Sequence, residues 1–548
     1  MAHALAGKPV QEQDIIDVQT IVDAYFDNVP DMTNPTQLVS FGTSGHRGTS
    51  VDGTFTDLHV AAITQAICDG RKQFGATGPI FVGQDTHALS QPALVTVLEV
   101  LAGNGVTAMV DCDMAFVPTP SVSRAIIRYN EDQDDKADGI IITPSHNPPD
   151  NGGIKYNTII GGPADTVVTK WIEMRANEYL TAYCESEDFK RISIDNIEPT
   201  AQVPYDYKGL YVEELGDVIN MEAIKAAGPK VLVDTLGGSG ASYWNAIKER
   251  YGLDLTIIHD DYDPTFSFMT YDHDGKVRMD CSSTYVMASV INRIGDFDLA
   301  VGNDPDYDRY GIVVSSGLIS ANTFLTLAAR YLFTTRGWKN KGVGKTVVCT
   351  TMIDKWAADA ETPVFEVPVG FKYFSQLLFD GAIGIGGEES AGASFLKKDG
   401  TVWTTDKDGM IMALLSMEIM AVMGKSALKM ADEFVEEFGN PSFGRIDAPC
   451  KKEQKQILKQ MSAELITATT VDGDPIMNIR TTSLYNDMPI DGVRVETDKG
   501  WFVARPSGTE DLYKIYGESY KGDLGLVALL TAGEEIVNAA LNGTIETE

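Results

Sequence analysis

Short apolar runs alternate with amphipathic stretches along most of this chain, a rhythm that predicts strand and helix units around mostly parallel sheets. The runs expected as strands are Ile80 to Gly83, Thr107 to Val110, Gly139 to Ile142, Val231 to Asp234, Leu255 to Ile258, Asp298 to Val301, Thr346 to Thr350 and Gly381 to Ile385. Between them, Asp57 to Gln73, Gln91 to Ala102, Ala321 to Phe333 and Asp408 to Met423 space their apolar residues as helices do. The texture changes near the end. Gly492 to Glu496, Gly500 to Ala504 and Leu512 to Tyr520 read as close-spaced strands, followed by an Ala- and Leu-rich helix from Leu524 to Leu541, which together make an α+β module. These shifts divide the chain into α/β blocks at 1–205, 206–320 and 321–440 and an α+β block at 441–548.

Each block contains an apolar strand that runs directly into a polar loop carrying Gly or Pro. Ile140-Ile141-Ile142 leads into Thr143-Pro144-Ser145-His146-Asn147, and Leu299-Ala300-Val301-Gly302 into Asn303-Asp304-Pro305-Asp306-Tyr307-Asp308-Arg309. Ile383-Gly384-Ile385-Gly386 leads into Gly387-Glu388-Glu389-Ser390, and Trp501-Phe502-Val503-Ala504 into Arg505-Pro506-Ser507-Gly508-Thr509-Glu510. Ligands of open α/β sheets bind beyond the carboxyl ends of strands, so four such loops suit one cleft between domains.

Composition narrows the partners. The 548 residues are too many for one core, and 43% hydrophobic with 22% charged content describes a globular protein. With 78 Asp and Glu against 44 Lys and Arg, the net charge of −34 opposes nucleic acid and anionic membranes as partners. It leaves room for a small anion held by cations that converge locally. Six singly scattered cysteines, without Cys-x-x-Cys spacing, predict a reducing cytoplasmic setting. The start of the chain lacks the apolar core of a secretory signal, and Glu418 interrupts the apolar helix Met410 to Met423, so no membrane span is expected.

Asp304, Asp306 and Asp308 stand at alternate positions, so a turning backbone can aim three oxygens at one hard cation, for which Mg²⁺ is the best fit. The competing readings are a solvated acidic turn and an aspartyl nucleophile. An EF-hand is disfavoured, because its glycine position holds Arg309 and its bidentate Glu position holds Ser315. Ser145 sits in a loop stiffened by prolines and glycines, with His146 and Lys155 both open as proton acceptors. A turn serine that caps a helix is the plainer alternative. Arg505, Ser507, Gly508 and Thr509 combine a guanidinium fork, two hydroxyls and an approachable backbone, which suits a phosphate. Glu388 and Ser390 can bond sugar hydroxyls, and Phe41 to Gly48 is a further glycine-hinged loop, carrying Arg47.

Taken together, Phe41 to Gly48, Thr143 to Asn157 (TPSHNPPDNGGIKYN), Asp304 to Arg309 (DPDYDR), Gly387 to Ser390 (GEES) and Arg505 to Glu510 (RPSGTE) closely resemble the α-D-phosphohexomutase superfamily, in order and in approximate spacing over nearly the whole chain. Within it the resemblance is to the bacterial-type branch specific for α-D-glucose phosphates. It implies three related α/β domains and a smaller α+β domain around one central cleft, and an isomerase that interconverts glucose 1-phosphate and glucose 6-phosphate. By similarity, Ser145 carries phosphate and joins Asp304, Asp306 and Asp308 around Mg²⁺, with glucose 1,6-bisphosphate as intermediate and activator. Glu388 and Ser390 would grip sugar hydroxyls, and Arg505, Ser507, Gly508 and Thr509 the phosphate that is not transferred. Arg47 and Arg309 would lie near the phosphoserine, Lys155 would serve as general acid/base, His146 would position the loop, and Lys407, with Lys372, is offered as a phosphate contact. Two departures stand out: Ser390 is followed by Ala391-Gly392 where some relatives carry Gly and His, and Val369-Gly370-Phe371-Lys372 replaces a Thr-Gly-His segment. Both fit the glucose branch. His273 reads as structural. The implied partners are small sugar phosphates, and a homodimer is left open as the assembly.

Overall fold

The computed structural model describes residues 2–42, 45–184, 189–506 and 512–545. Four sheets follow one another along the chain. The first three are mixed, with parallel strands at the centre; the fourth is antiparallel and backed by the helix Gly522–Ile545. This is the three-plus-one α/β and α+β architecture expected from the sequence.

One local device recurs in the first three sheets. A buried central strand ends in a loop, and the chain returns antiparallel along the same strand. Asp138–Ile142 is followed by Asn151–Asn157, Leu299–Gly302 by Gly311–Val314, and Ile383–Gly387 by Ala393–Phe395. All three central strands are buried along their whole length, which is why they read as unbroken apolar or Gly-rich runs rather than alternating ones. Each loop is thus held at both ends by ladder hydrogen bonds. The Phe41 to Gly48 segment also ends in a strand, His46–Thr49, which pairs with Asn151–Asn157; its Thr43 and Ser44 lie outside the described residues.

One expected strand is misplaced. The strand runs Gly342–Thr346, not Thr346 to Thr350, and the chain turns at Cys349, whose N–H donates to the Thr346 carbonyl at 3.0 Å. The true strand was masked by Gly342 and Gly344, over which Phe365 and Phe374 pack where a Cβ would stand. The more apolar Val347 and Val348 instead pack against Ile490, Trp501, Val503 and Tyr516 of the fourth domain. Burial there reports a domain contact rather than a sheet.

The interrupted helix, Gly409–Met423, buries its Glu418 completely. The carboxylate is matched by Arg336 at 2.7 Å, the Tyr331 hydroxyl at 2.8 Å and the Asn220 N–H at 2.7 Å. A longer apolar stretch occurs at Gly522–Asn542, where Leu529, Leu530, Val537 and Leu541 cover the C-terminal sheet. It is long and apolar enough to cross a membrane, and its apolar face belongs to a domain core.

Candidate active site

Ser145 lies at the tip of the first of these loops, 1% exposed and in the left-handed region at φ 62°. Its N–H donates to Thr143 Oγ1 at 2.8 Å, and its hydroxyl donates to Asp304 Oδ2 at 3.0 Å. His146 Nδ1 is 3.3 Å from the same hydroxyl. Burial, reinforced by the Arg309 guanidinium, holds His146 well below the usual imidazole range, so its ring is neutral.

The second loop folds Asp304, Asp306 and Asp308 into one fully buried cluster whose oxygens lie within 4.8 Å of one another. Asp304 Oδ1 accepts the Arg309 N–H at 2.9 Å, and Tyr307 turns the chain at φ 63° so that alternate side chains converge. Two other domains grip this loop through helix N-termini. Thr119, which opens the helix Thr119–Asp132, donates its N–H to the Asp306 carbonyl at 2.9 Å and its hydroxyl to Asp306 Oδ2 at 2.8 Å. Gly409, which opens Gly409–Met423, donates its N–H to the Tyr307 carbonyl at 2.9 Å. The positive ends of both helices suit a loop this acidic.

Two lysines complete the charge balance. Lys155, on the strand that returns from the serine loop, reaches Asp306 Oδ2 at 2.6 Å and Asp308 Oδ2 at 3.1 Å; Lys407 reaches Asp308 Oδ2 at 2.8 Å. Burial disfavours the charged form of each group, and the local charges decide the rest. Burial together with the neighbouring Asp306 and Asp308 raises Asp304 well above the carboxylate range. Burial would raise Asp308 too, but the Lys155 and Lys407 ammonium groups reverse this and hold it well below that range. Against the same burial, Asp306 and Asp308 hold Lys155 above the usual lysine range.

Asp306 Oδ1 and Asp308 Oδ1 are buried and make no hydrogen bond. Orphaned carboxylate oxygens beside Asp304 fit a hard divalent cation such as Mg²⁺, whose charge would relieve the repulsion among the three acids.

Arg47 and Arg309 flank the serine loop. Arg47 Nη1 donates to Asn147 Oδ1 at 3.5 Å, and Arg309 Nη1 lies 3.3 Å from Asp280 Oδ2, which is 3.8 Å from His146 Nε2. In the third domain Glu388 follows the strand Ile383–Gly387, and burial pushes its carboxyl up to about 7. A pocket lined by Lys155, Asp308, Lys372, Glu388, Asp406 and Lys407 joins this loop to the acidic cluster. Ser390 stands half-buried at the turn beyond it. Lys372 donates to Thr166 Oγ1 at 2.8 Å.

Arg505 lies on the strand Gly500–Pro506 of the fourth domain, and its buried Nε makes no hydrogen bond. Burial raises Glu389, and Arg505 opposes this from across the domain boundary. Among the described residues no contact joins Arg505 to the acidic cluster, and Ser507, Gly508 and Thr509 lie outside the described residues.

Three participants escaped the sequence reading. Thr119 lacks a preceding apolar strand of the kind that singled out the other loops; its one cue is Pro118-Thr119-Pro120 opening an amphipathic helix. Asp280 sits in an irregular excursion between strands and becomes relevant only where it meets Arg309. Asp406 precedes Lys407 and accepts from Asn157 Nδ2 at 2.9 Å across a domain boundary.

Models of the four phosphoglucomutase/phosphomannomutase domains match this chain: alpha/beta/alpha domain I at residues 38–182, domain II at 210–317, domain III at 320–438, and the C-terminal domain at 447–524. The chain belongs to this family. It is 47% identical to a phosphoglucomutase of Komagataeibacter xylinus over 97% of both chains. Its fold resembles that of the phosphoprotein parafusin (phosphoglucomutase) from Paramecium in its open form, with a TM-score of 0.71, 19% identity, and coverage of 94% of this chain and 96% of that one. It also resembles the N-acetylphosphoglucosamine mutase of Aspergillus fumigatus solved in complex with GlcNAc-6P and magnesium, with a TM-score of 0.53, 15% identity, and coverage of 96% and 99%. As a member of the phosphoglucomutase family over nearly its full length, this chain is an isomerase that moves a phosphoryl group on a sugar.

Proposed function

We propose that this enzyme interconverts α-D-glucose 1-phosphate and glucose 6-phosphate through phosphorylated Ser145 and a glucose 1,6-bisphosphate intermediate. The observation that carries the reading is the Ser145 hydroxyl 3.0 Å from Asp304 Oδ2, facing a buried acidic cluster with two unsatisfied oxygens. Asp304, Asp306 and Asp308 would hold Mg²⁺, which supplies charge neutralisation at the phosphoryl oxygens. A magnesium complex of the Aspergillus fumigatus mutase supports that choice of metal.

Arg47 and Arg309 contribute fixed positive charge on either side of the serine, where phosphoryl oxygens need it. Lys155 accepts the proton of the sugar hydroxyl that attacks the phosphoserine and returns it in the reverse step. Its ammonium bonds to Asp306 and Asp308, two of the carboxylates that would hold Mg²⁺; shared with a bound cation, they would hold the Lys155 proton less firmly. Glu388 and Ser390 read sugar hydroxyls from the third domain, while Arg505 with Ser507, Gly508 and Thr509 binds the idle phosphate. The bisphosphate must turn over to present its second phosphate to Ser145, so one pocket accepts the sugar in two orientations. His146, neutral and beside the serine, orients the loop rather than carrying charge. The scattered cysteines support a cytoplasmic site of action.

The test is a coupled assay for glucose 6-phosphate with Mg²⁺ and a trace of glucose 1,6-bisphosphate, comparing wild type with Ser145→Ala. Turnover by wild type and its loss in the variant are expected. A silent wild type overturns the reaction, and a fully active variant overturns the phosphate carrier.

A further inference from the structure

Behind the serine loop lies a polar cluster that none of the roles above uses. Asp85 and His87 follow the strand Ile80–Gln84, the parallel neighbour of the strand that delivers Ser145, so both segments leave the same edge of the sheet. Asp85, His87, Ser90 and Thr143 are all fully buried. Asp85 accepts four hydrogen bonds: from the His87 N–H at 3.0 Å, His87 Nδ1 at 2.8 Å, Ser90 Oγ at 2.5 Å and Thr143 Oγ1 at 2.6 Å.

These contacts fix proton positions. Thr143 Oγ1 accepts the Ser145 N–H, so its own proton points to Asp85. His87 Nε2 lies 3.0 Å from the Asn147 carbonyl, while Nδ1 faces the Asp85 carboxylate. A carboxylate and a carbonyl only accept. Both ring nitrogens must therefore donate, and a neutral imidazole has only one N–H. His59 makes the contrast: its Nδ1 receives the Thr56 N–H at 3.2 Å while Nε2 faces the Gln37 carbonyl, the pattern of a neutral ring.

We propose that Asp85 and His87 form a buried carboxylate–imidazolium pair that positions the Ser145 loop for phosphoryl transfer. The proposal rests on the reading of Ser145 as phosphate carrier. The pair ties the loop on both sides of the serine: through Thr143 to the Ser145 N–H, and through His87 to the Asn147 carbonyl. Between these points the His146 carbonyl accepts the Met279 N–H at 3.1 Å from the second domain. Three consecutive residues are thus tethered while Ser145 keeps a left-handed backbone that a free loop would abandon. The charge state agrees with the surroundings: burial would lower His87, and the adjacent Asp85 more than reverses it. The Asn147 carbonyl and the Asp306 carboxylate also favour its charged form, and the apolar ring of Phe266 lies at 5.1 Å between centroids. Neither residue touches the reacting atoms; they are positioning residues.

The experiment has two arms on the full-length enzyme. In wild type labelled with ¹⁵N-histidine, the His87 resonances, assigned by their disappearance in His87→Gln, are expected to show two protonated nitrogens at about pH 8, where an unperturbed imidazole is neutral. A neutral His87 overturns the pair. In the second arm, Gln presents one donor end and one acceptor end, so His87→Gln cannot donate to both Asp85 and Asn147. A fall in kcat of about 10- to 100-fold is expected, with KM for glucose 1-phosphate within about threefold of wild type. A lower melting temperature with unchanged kcat marks a purely structural residue and also overturns the proposal; should the variant not fold, the His87 resonances are assigned in wild type by through-bond connection to its sequentially assigned backbone, and that spectrum decides. Ser145→Ala, assayed alongside, separates the two readings. Full activity there removes the phosphate carrier, whereas an inactive Ser145→Ala beside a fully active His87→Gln removes only the positioning pair.

Discussion

Thr119 and Glu388 show how a single side chain tunes this cleft. Thr119 supports Asp306 from behind, and outer-shell partners of metal-binding carboxylates set their orientation. The nearly isosteric Thr119→Val is expected to weaken Mg²⁺ about 10- to 100-fold, with activity restored as Mg²⁺ is raised in a titration of initial rate. Glu388 carries a pH signature. Burial holds its carboxyl protonated up to about 7, far above its unfolded value. As pH rises from the ordinary carboxylate range through 7, the unfolded chain gives up a proton that the fold retains, so this group's contribution to stability falls across that window. Glu388→Gln removes that loss. Its urea midpoint is expected to match wild type at about pH 5 and to exceed it at about pH 8, by the equivalent of about 1–3 kcal/mol. Equal midpoints at the higher pH would contradict the burial effect.

Among the elements, the helix Gly409–Met423 has two jobs: its length fills the shared core of the second and third domains, and its first residue caps the acidic loop. Gly409 is required there by close approach, since a Cβ would stand 2.0 Å from the Arg309 carbonyl oxygen. Gly409→Ala must therefore push the helix and the acidic loop apart. It is expected to cost about 1–3 kcal/mol through overpacking, and to lower kcat together with Mg²⁺ affinity. Denaturation and a metal titration on one preparation check both effects; loss of stability with intact metal affinity would show that the loop does not depend on the helix end.

On the scale of the molecule, the fourth domain docks on the third through Val347 and Val348 against Trp501. Arg494 lies 4.1 Å over the Trp501 ring and bonds the Val347 carbonyl, while Trp501 Nε1 donates to Glu518, which also receives the Thr351 N–H. Trp501→Ala is expected to cost about 3–5 kcal/mol and to split thermal unfolding into two calorimetric transitions. KM for glucose 1-phosphate should rise, since Arg505 rides on the same strand, while phosphorylation of Ser145 should persist. A single transition with unchanged KM would mean that docking does not rest on this contact. The net charge of −34 likewise becomes intelligible only here, because Arg47, Lys155, Arg309 and Lys407 converge at one place on an otherwise acidic chain.

Chain order alone was enough to read the serine loop, the three alternating aspartates and the strand that launches each. Buried central strands must be apolar, and the loops that follow them must be polar to do chemistry, so the contrast is written locally. Its limit appears at Gly342–Thr346, where glycines demanded by overlying phenylalanines hide a strand and a domain contact at Val347 and Val348 imitates one. The partners of the site were not readable in the same way. Thr119 meets Asp306 across 187 positions of chain and Lys155 meets it across 151, and nothing in the neighbourhood of either residue encodes the distance. The charge states of Asp304, Asp308, Glu388 and His87 belong to that same order of fact, because desolvation and facing charges exist only once the domains have closed around them.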